Sequence, residues 1–87
     1  MSDTFIALVE CMREIFPEME EMEVAPEIKL EEIPEWDSMS LVNLQTGLEA
    51  AFGVNIPAMA FKESLTIGEL VVYIKHPETI PVEEEED

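Results

Sequence analysis

The 87-residue sequence has few of the residues from which most catalytic and metal sites are built. It contains one cysteine, one histidine and three glycines. A lone cysteine forms no intramolecular disulfide, the sequence supplies no cysteine or histidine ligand pair, and it contains no glycine-rich phosphate loop. The short length also leaves no room for a second lobe that closes over a substrate. The sequence therefore predicts one small domain that is not an enzyme and has no metal site.

Basic residues are also scarce. Lysine and arginine together number 4 against 21 aspartates and glutamates, which gives a net charge of −17. Phosphate backbones and anionic lipid surfaces repel such a chain, so neither nucleic acid nor a membrane is predicted as a partner. No apolar run approaches the roughly 20 residues that span a bilayer, and the N-terminus lacks the features of a secretory signal. A cytoplasmic location is the expectation.

The acidic residues are unevenly distributed along the chain. Residues 1–36 carry eleven acidic and two basic residues, and residues 37–75 carry only four and two. Residues 76–87 carry six acidic residues and no basic one. Because the unbroken acidic run 83–87 cannot bury anything, residues 77–87 are predicted to be a disordered, solvated tail. Residues 1–76 are predicted to form the folded domain.

The N-terminal segment has the apolar spacing of a helix. Between Asp3 and Phe16 the apolar residues recur every three or four positions, which places them on one helical stripe. Pro17 cannot continue the backbone hydrogen bonds and ends this helix. The stretch from Pro17 to Pro34 is predicted to be a long, partly packed loop. Cys11, on the flank of the stripe, is predicted to be a half-buried small residue rather than a reactive thiol.

A second helix is predicted to begin at the N-cap Asp37 and to end at Gly53, a favourable stop residue. The stripe predicted to face the core is Leu41, Leu44, Leu48 and Ala51. The opposite and weaker apolar stripe is Met39, Val42, Thr46 and Ala50. This second stripe is a candidate contact surface, unless the preceding loop or a neighbouring helix covers it. Gly47, inside the helix, predicts close packing or a need for space at that point.

Two further helical segments complete the prediction. A short piece spans Ala58 to Phe61. Thr66 and Glu69 then have the spacing of a capping box, and the helix that they begin must end before Pro77. No strand pattern competes. The predicted fold class is all-α: a small antiparallel four-helix bundle of three longer helices and one short one, with the long loop between the first two.

The most specific pattern surrounds the start of the second helix. It reads Ile33-Pro34-Glu35-Trp36-Asp37-Ser38-Met39-Ser40-Leu41-Val42-Asn43-Leu44 and is followed by Phe52-Gly53-Val54, Ile56-Pro57 and Thr66-Ile67-Gly68-Glu69-Leu70. A serine or aspartate at a helix start is, by itself, only a cap. Taken together over about residues 3–75, the arrangement resembles the acyl carrier proteins.

In that family, the serine of an Asp-Ser-Leu motif receives a 4′-phosphopantetheine arm from coenzyme A, attached by a separate phosphopantetheinyl transferase that uses Mg²⁺. The resemblance assigns the covalent attachment to Ser38 and the preceding motif position, also the helix N-cap, to Asp37. It implies that the thiol of the arm carries acyl groups as thioesters. Acyl-loading and acyl-processing enzymes of a fatty-acid, lipid or polyketide-type pathway would then be the partners.

The sequence departs from the family pattern on the surface that partner enzymes bind. Carriers of fatty-acid synthesis present acidic residues there. The matching positions here are Ser40, Asn43, Ala50, Ala51, Ala58, Met59 and Ala60, and of that surface on the second helix only Glu49 is still acidic. Docking is therefore predicted to depend weakly on salt and to serve a specialised pathway. The predicted partner-binding residues are Met39, Val42, Thr46, Glu49 and Met59.

Two alternative functions stay open. Aminoacyl, peptidyl and D-alanyl carriers share the bundle and the modified serine, so the cargo could be an aminoacyl group. An acidic helical binding module that is never modified would also fit the composition. In each case a monomer is predicted, because the exposed apolar stripe is narrow and the net charge opposes self-association.

Overall fold

A computed structural model describes residues 3–81, and within them the chain forms three α-helices and no strand. The helices are α1 (Asp3–Ile15), α2 (Ser38–Phe52) and α3 (Ile67–Lys75). Short 3-10 turns lie at Pro17–Glu21, Leu30–Glu32, Ala58–Ala60 and Pro77–Thr79. The predicted all-α class is confirmed, and the short helix expected near residue 58 is a single 3-10 turn. None of the described helices is long and apolar enough to cross a bilayer.

The ends of α2 and α3 follow from local chemistry. Gly53 ends α2 in the left-handed conformation, at a φ of 70°, and its N–H donates to the Glu49 carbonyl at 2.9 Å. This backbone conformation suits glycine because a Cβ atom would crowd it. Thr66 begins α3 through the predicted capping box, in which the Glu69 N–H donates to the Thr66 hydroxyl and the Glu69 carboxylate accepts from the Thr66 N–H.

The core is built on α1, which lies against both α2 and α3. All three helices and the loops between them contribute side chains to it. The fully buried side chains are Leu8, Met12, Met19, Leu30, Ile33, Leu44, Leu48, Ile56, Ile67 and Leu70. Because three of these ten come from the segment between α1 and α2, that segment is part of the folded core. This confirms the prediction of a partly packed loop.

Backbone hydrogen bonds fix the second half of this loop to the start of α3. The Leu30 N–H donates to the Leu65 carbonyl at 2.9 Å, and the Ile67 N–H donates to the Ile28 carbonyl at 2.9 Å. The two segments therefore exchange hydrogen bonds without forming a sheet. Their polar backbone groups are satisfied, which allows Leu30 to be buried without cost from an unpaired N–H.

Arg13 fixes the first half of the loop. Its guanidinium donates to the Met19 carbonyl at 3.3 Å and to the Met22 carbonyl at 3.1 Å. The 3-10 turn Pro17–Glu21 is thereby held against the last turn of α1, and Met19 is fully buried. One of the four basic residues is thus committed to the fold.

The core-facing stripe of α2 is narrower than predicted. Leu44 and Leu48 are buried and Leu41 is half-buried, but Ala51 is exposed, so its assignment to the core face is wrong. After Gly53 the chain folds back along the helix, where the Gln45 side-chain amide donates to the Ile56 carbonyl at 2.8 Å. Val54 and Ile56, which are 8% and 1% exposed, fill the core at this end.

Residues 77–81 continue beyond α3. Pro77–Thr79 form a 3-10 turn, and Ile80 is half-buried against the core. His76, at the end of α3, lies 3.6 Å from Glu78 through its Nδ1 atom. The boundary placed at residue 76 stays a prediction, and most of the proposed acidic tail, residues 82–87, lies outside the described residues.

Close packing of α1 against α2 accounts for Gly47. A Cβ atom at this position would collide with the Cδ1 atom of Ile15, and the Cys11 sulfur lies 3.9 Å from the Gly47 carbonyl oxygen. Of the two reasons considered for this glycine, close packing therefore applies: the space beside Gly47 is filled by α1. Because Cδ1 is the far end of a flexible side chain, a small residue at 47 would be accommodated at moderate cost.

We predict that Gly47 and Ile15 are energetically coupled. Gly47→Ala alone should be nearly neutral, since the gain in helix propensity of about 1 kcal/mol is offset by displacement of Ile15. In an Ile15→Val background, which lacks Cδ1, the same substitution should raise the free energy of unfolding by about 1 kcal/mol. Urea denaturation of the four proteins measures the coupling. An equal effect of Gly47→Ala in both backgrounds would contradict the packing described.

Candidate functional site

The start of α2 is fixed by reciprocal hydrogen bonds between Asp37 and Ser40. The Asp37 carboxylate accepts from the Ser40 N–H at 2.9 Å and from the Ser40 hydroxyl at 3.0 Å. The Asp37 N–H donates in turn to the Ser40 hydroxyl oxygen at 3.3 Å. Asp37 itself is extended, at a φ of −151°, which is the usual backbone of an N-cap. The predicted capping role of Asp37 is confirmed.

The two serines of this turn differ in what their hydroxyls contact. Ser40 is occupied by the cap. Ser38, the first residue of α2, is exposed, and within residues 3–81 its hydroxyl has no hydrogen-bond partner. A hydroxyl that is exposed and uncommitted is accessible to a modifying enzyme, whereas reaction at Ser40 would break the cap. The geometry therefore distinguishes Ser38 from a serine only two residues away.

The segment before Asp37 holds the site against the fold. Glu35 adopts the left-handed conformation, at a φ of 61°, which is uncommon for a residue with a side chain. It turns the chain so that the half-buried Trp36 packs on Phe16 at a ring-centroid distance of 6.0 Å and an interplanar angle of 57°. Sequence reasoning missed the role of Glu35, because glutamate carries no signal for this conformation.

A groove of about 410 Å³ lies beside Ser38. Its walls come from the start of α2 and from the segment after the 3-10 turn Ala58–Ala60. The lining residues are Trp36, Asp37, Ser38, Leu41, Phe61, Lys62 and Glu63. Sequence reasoning did not single out Lys62 or Glu63. The available signal was that Lys62 is the first of only two basic residues in the stretch 37–75.

The one cysteine does not compete with Ser38 as a nucleophile. The Cys11 thiol is half-buried, and burial together with the nearby Glu14 carboxylate raises its pKa. A raised pKa keeps the thiol protonated and weakly nucleophilic. Within residues 3–81, no group of three or more histidine, cysteine, aspartate or glutamate side chains is arranged to hold a metal ion.

The residues predicted to bind partners all lie on the surface. Met39, Val42 and Met59 are 63%, 49% and 48% exposed, and Thr46 and Glu49 are exposed beside them on α2. The turn that carries Met59 contacts α2, so the two elements form one continuous surface. Within the described part of the chain, neither the long loop nor another helix covers the second apolar stripe. Its role in docking stays a prediction.

Ser38 thus combines an exposed, unbonded hydroxyl with a place at a helix start beside an open groove. Comparisons with known proteins show the family. The family model described as "Phosphopantetheine attachment site" matches residues 7–74. The chain is also 39% identical over 61 residues to an acyl carrier protein of Rubrobacter xylanophilus, an alignment that covers 70% of this chain and 75% of that protein. The chain therefore belongs to the phosphopantetheine attachment family.

Family membership defines the chemistry. The chain is a carrier protein and not a catalyst, its prosthetic group is 4′-phosphopantetheine, and its partners include a phosphopantetheinyl transferase and enzymes of the pathway that it serves. The residues present fit this group, since Ser38 offers an uncommitted hydroxyl and the groove beside it is open. When attached, the group supplies a thiol that forms thioesters. The chain itself supplies the attachment point and the surface that partners recognise.

The cap also sets the electrostatics of the site. The hydrogen bond from the Ser40 N–H, then that from the Ser40 hydroxyl, lower the pKa of the Asp37 carboxyl below its ordinary value, and the Met39 N–H adds to the effect. A lowered pKa keeps Asp37 ionised, which suits the positive end of the α2 dipole.

We predict that the ionised Asp37 carboxylate contributes to the stability of the fold only above the acid pH range. The contribution should be complete above the unfolded carboxyl pKa of about 3.9 and should disappear as the pH falls through the lower folded value. Asp37→Asn keeps a good N-cap without the charge. The advantage of the wild type in thermal midpoint should therefore be constant down to about pH 4 and then shrink. If the difference in thermal midpoint between the wild type and Asp37→Asn stayed unchanged at still lower pH, it would contradict a lowered pKa at Asp37.

Proposed function

We propose that this protein is an acyl carrier protein whose 4′-phosphopantetheine arm is attached to Ser38. The observation that carries the proposal is the free, exposed hydroxyl of Ser38 at the first position of α2, in a chain of the phosphopantetheine attachment family. A phosphodiester at that position lies near the first-turn N–H groups and the positive end of the helix dipole, and both stabilise an anion.

Acyl groups are the cargo that we propose. The support is the 39% identity to a protein named acyl carrier protein. Aminoacyl, peptidyl or D-alanyl cargo is the second candidate, because such carriers use the same kind of attachment. An unmodified binding module is disfavoured by the family match over residues 7–74. Because the arm is the same for both carriers, the mass of the group on the thiol distinguishes them.

The proposed partners are a Mg²⁺-dependent phosphopantetheinyl transferase and the enzymes that load and process acyl groups in a fatty-acid, lipid or polyketide-type pathway. The protein would work in the cytoplasm as a monomer. Tethering the cargo to the carrier raises its local concentration at each docked enzyme. The carrier therefore contributes to catalysis by its partners through delivery.

We propose that partners dock on the apolar surface formed by Met39, Val42, Thr46, Glu49 and Met59. Three of its side chains are large and roughly half or more exposed, and it carries one acidic residue. Most of the acidic residues of the chain lie before residue 37 or after residue 75. Affinity at this surface should accordingly come from apolar burial, with little electrostatic steering.

The attachment is tested by intact mass. Incubation with a broad-specificity transferase, coenzyme A and Mg²⁺ should add the mass of one phosphopantetheine group to the wild type and none to Ser38→Ala. Ser40→Ala is the matched control: it removes the other hydroxyl of the same turn, and it should be loaded although its fold is less stable by about 1 kcal/mol. A wild type that stays unloaded, or loading of Ser38→Ala, would refute the proposal.

The docking surface is tested with a pair of valines of similar exposure on different helices. Val42 is 49% exposed on α2, and Val72 is 45% exposed on α3. Val42→Asp should reduce kcat/KM for transferase loading by about tenfold, as expected for loss of a central apolar contact, whereas Val72→Asp should leave it nearly unchanged.

The salt dependence of the same reaction tests the charge argument. For the wild type, kcat/KM should change by less than about twofold between low and physiological salt, because few charges lie on the surface. A steep fall with salt, or equal effects of the two valine substitutions, would contradict docking through this surface. Thermal midpoints of both variants check that they are folded.

A further inference from the structure

The groove beside Ser38 contains a single basic side chain. Lys62 lines it on the wall opposite the start of α2. Lys62 also lines a neighbouring depression of about 270 Å³, which it shares with Met59 and Tyr73. Lys62 therefore lies at the boundary between the groove and this depression.

Lys62 has no ionic partner in the described structure. Within residues 3–81, the one contact within 4 Å between a basic and an acidic side chain is that of His76 with Glu78. Arg13, by contrast, is committed to two loop carbonyls, and Lys75 lies in the last turn of α3. The exposed ammonium of Lys62 is thus available to an anion that arrives in the groove.

The backbone around Lys62 is fixed even though its side chain is free. The Leu65 N–H donates to the Lys62 carbonyl at 3.0 Å, and the Glu31 N–H donates to the Glu63 carbonyl at 3.2 Å. The wall is thereby attached to the long loop, which fixes the Lys62 backbone on the side of the groove opposite the start of α2. A lysine on a fixed backbone loses less freedom when it binds than one on a mobile loop.

The charges around the groove favour Lys62 as the partner of an anion bound there. Its lining includes the carboxylates of Asp37 and Glu63 and the one ammonium of Lys62. A phosphodiester on Ser38 would add another negative charge beside Asp37. Lys62 is the lining cation that can compensate it, and an ammonium is an effective point-charge partner for phosphate.

We infer that Lys62 pairs with the phosphodiester of the arm on Ser38 and so positions the base of the arm along the wall formed by Phe61, Lys62 and Glu63. This inference rests on the proposed attachment at Ser38. Lys62 is a positioning residue, since it orients the arm and takes no part in the chemistry of the thioester. Because the pair is exposed to solvent, it should change the bound population of the arm by about two- to fivefold and weaken with salt.

The test compares ¹⁵N-labelled protein before and after loading. In the wild type, loading should shift the amide signals of Phe61 and Glu63 and the indole signal of Trp36, in addition to that of Met39. In Lys62→Met, the shifts across the groove should fall by about two- to fivefold, while that of Met39, next to the attachment, is retained. Lys62→Arg should preserve the wild-type pattern. Lys75→Met is the matched control for loss of one positive charge elsewhere and should also preserve it.

Several outcomes would overturn the inference. One is a loaded Lys62→Met protein with undiminished shifts at Phe61 and Glu63, and another is a wild type whose shifts stay confined to the start of α2. Slower loading of Lys62→Met with unchanged shifts would instead assign the lysine to a partner surface. Intact mass separates these results from failure of the proposed function, in which the wild type is not loaded at all. Spectra of the unloaded variants, which should match the wild type away from residue 62, exclude an effect on the fold.

Discussion

The reciprocal cap between Asp37 and Ser40 is the interaction on which the site depends. A helix start has unpaired N–H groups, and a serine in the first turn would ordinarily satisfy one of them. Here the Asp37 carboxylate and the Ser40 hydroxyl satisfy each other and the backbone. Ser38 is therefore left with an exposed hydroxyl at the positive end of α2. The cap both begins the helix and determines which serine is available.

The position of that cap depends on contacts far from it in sequence. The Phe16 ring, just after α1, packs on Trp36 and holds the chain immediately before Asp37. The loop between them is fixed at one end by Arg13 and at the other by hydrogen bonds to the segment that leads into α3. Since that same segment forms the opposite wall of the groove, one set of contacts places both walls. The long loop thus acts as a structural element of the site.

The features predicted correctly from sequence are those that short-range chemistry determines. Asp37, Gly53 and Thr66 act as predicted because caps and stops depend on residues within one turn. Ala51 was misassigned because helical periodicity does not indicate where the chain folds back, and Val54 and Ile56 fill that part of the core.

Other features required the tertiary structure. The reason for Gly47 became clear only with Ile15 in place, and the groove joins segments that lie twenty or more residues apart. The left-handed Glu35 shows the same limit, since glutamate has no preference for this conformation and the packing of Trp36 on Phe16 is visible only in the folded chain.

The distribution of charge places two requirements on different parts of the chain. One is repulsion between like molecules, and the other is a surface around Ser38 that does not repel the phosphodiester of the arm. A net charge of −17 makes like molecules repel one another. If that charge covered the surface around Ser38, it would repel the phosphodiester of the arm and would bind any sufficiently basic protein. The acidic residues instead lie mainly before α2 and after α3, and the surface around Met39 and Val42 is apolar. On the proposed docking surface, recognition would come from shape and apolar burial, which discriminate between partners through close fit at short range. The single lysine in the groove is then significant because it is the one positive charge among the lining residues, beside the carboxylates of Asp37 and Glu63.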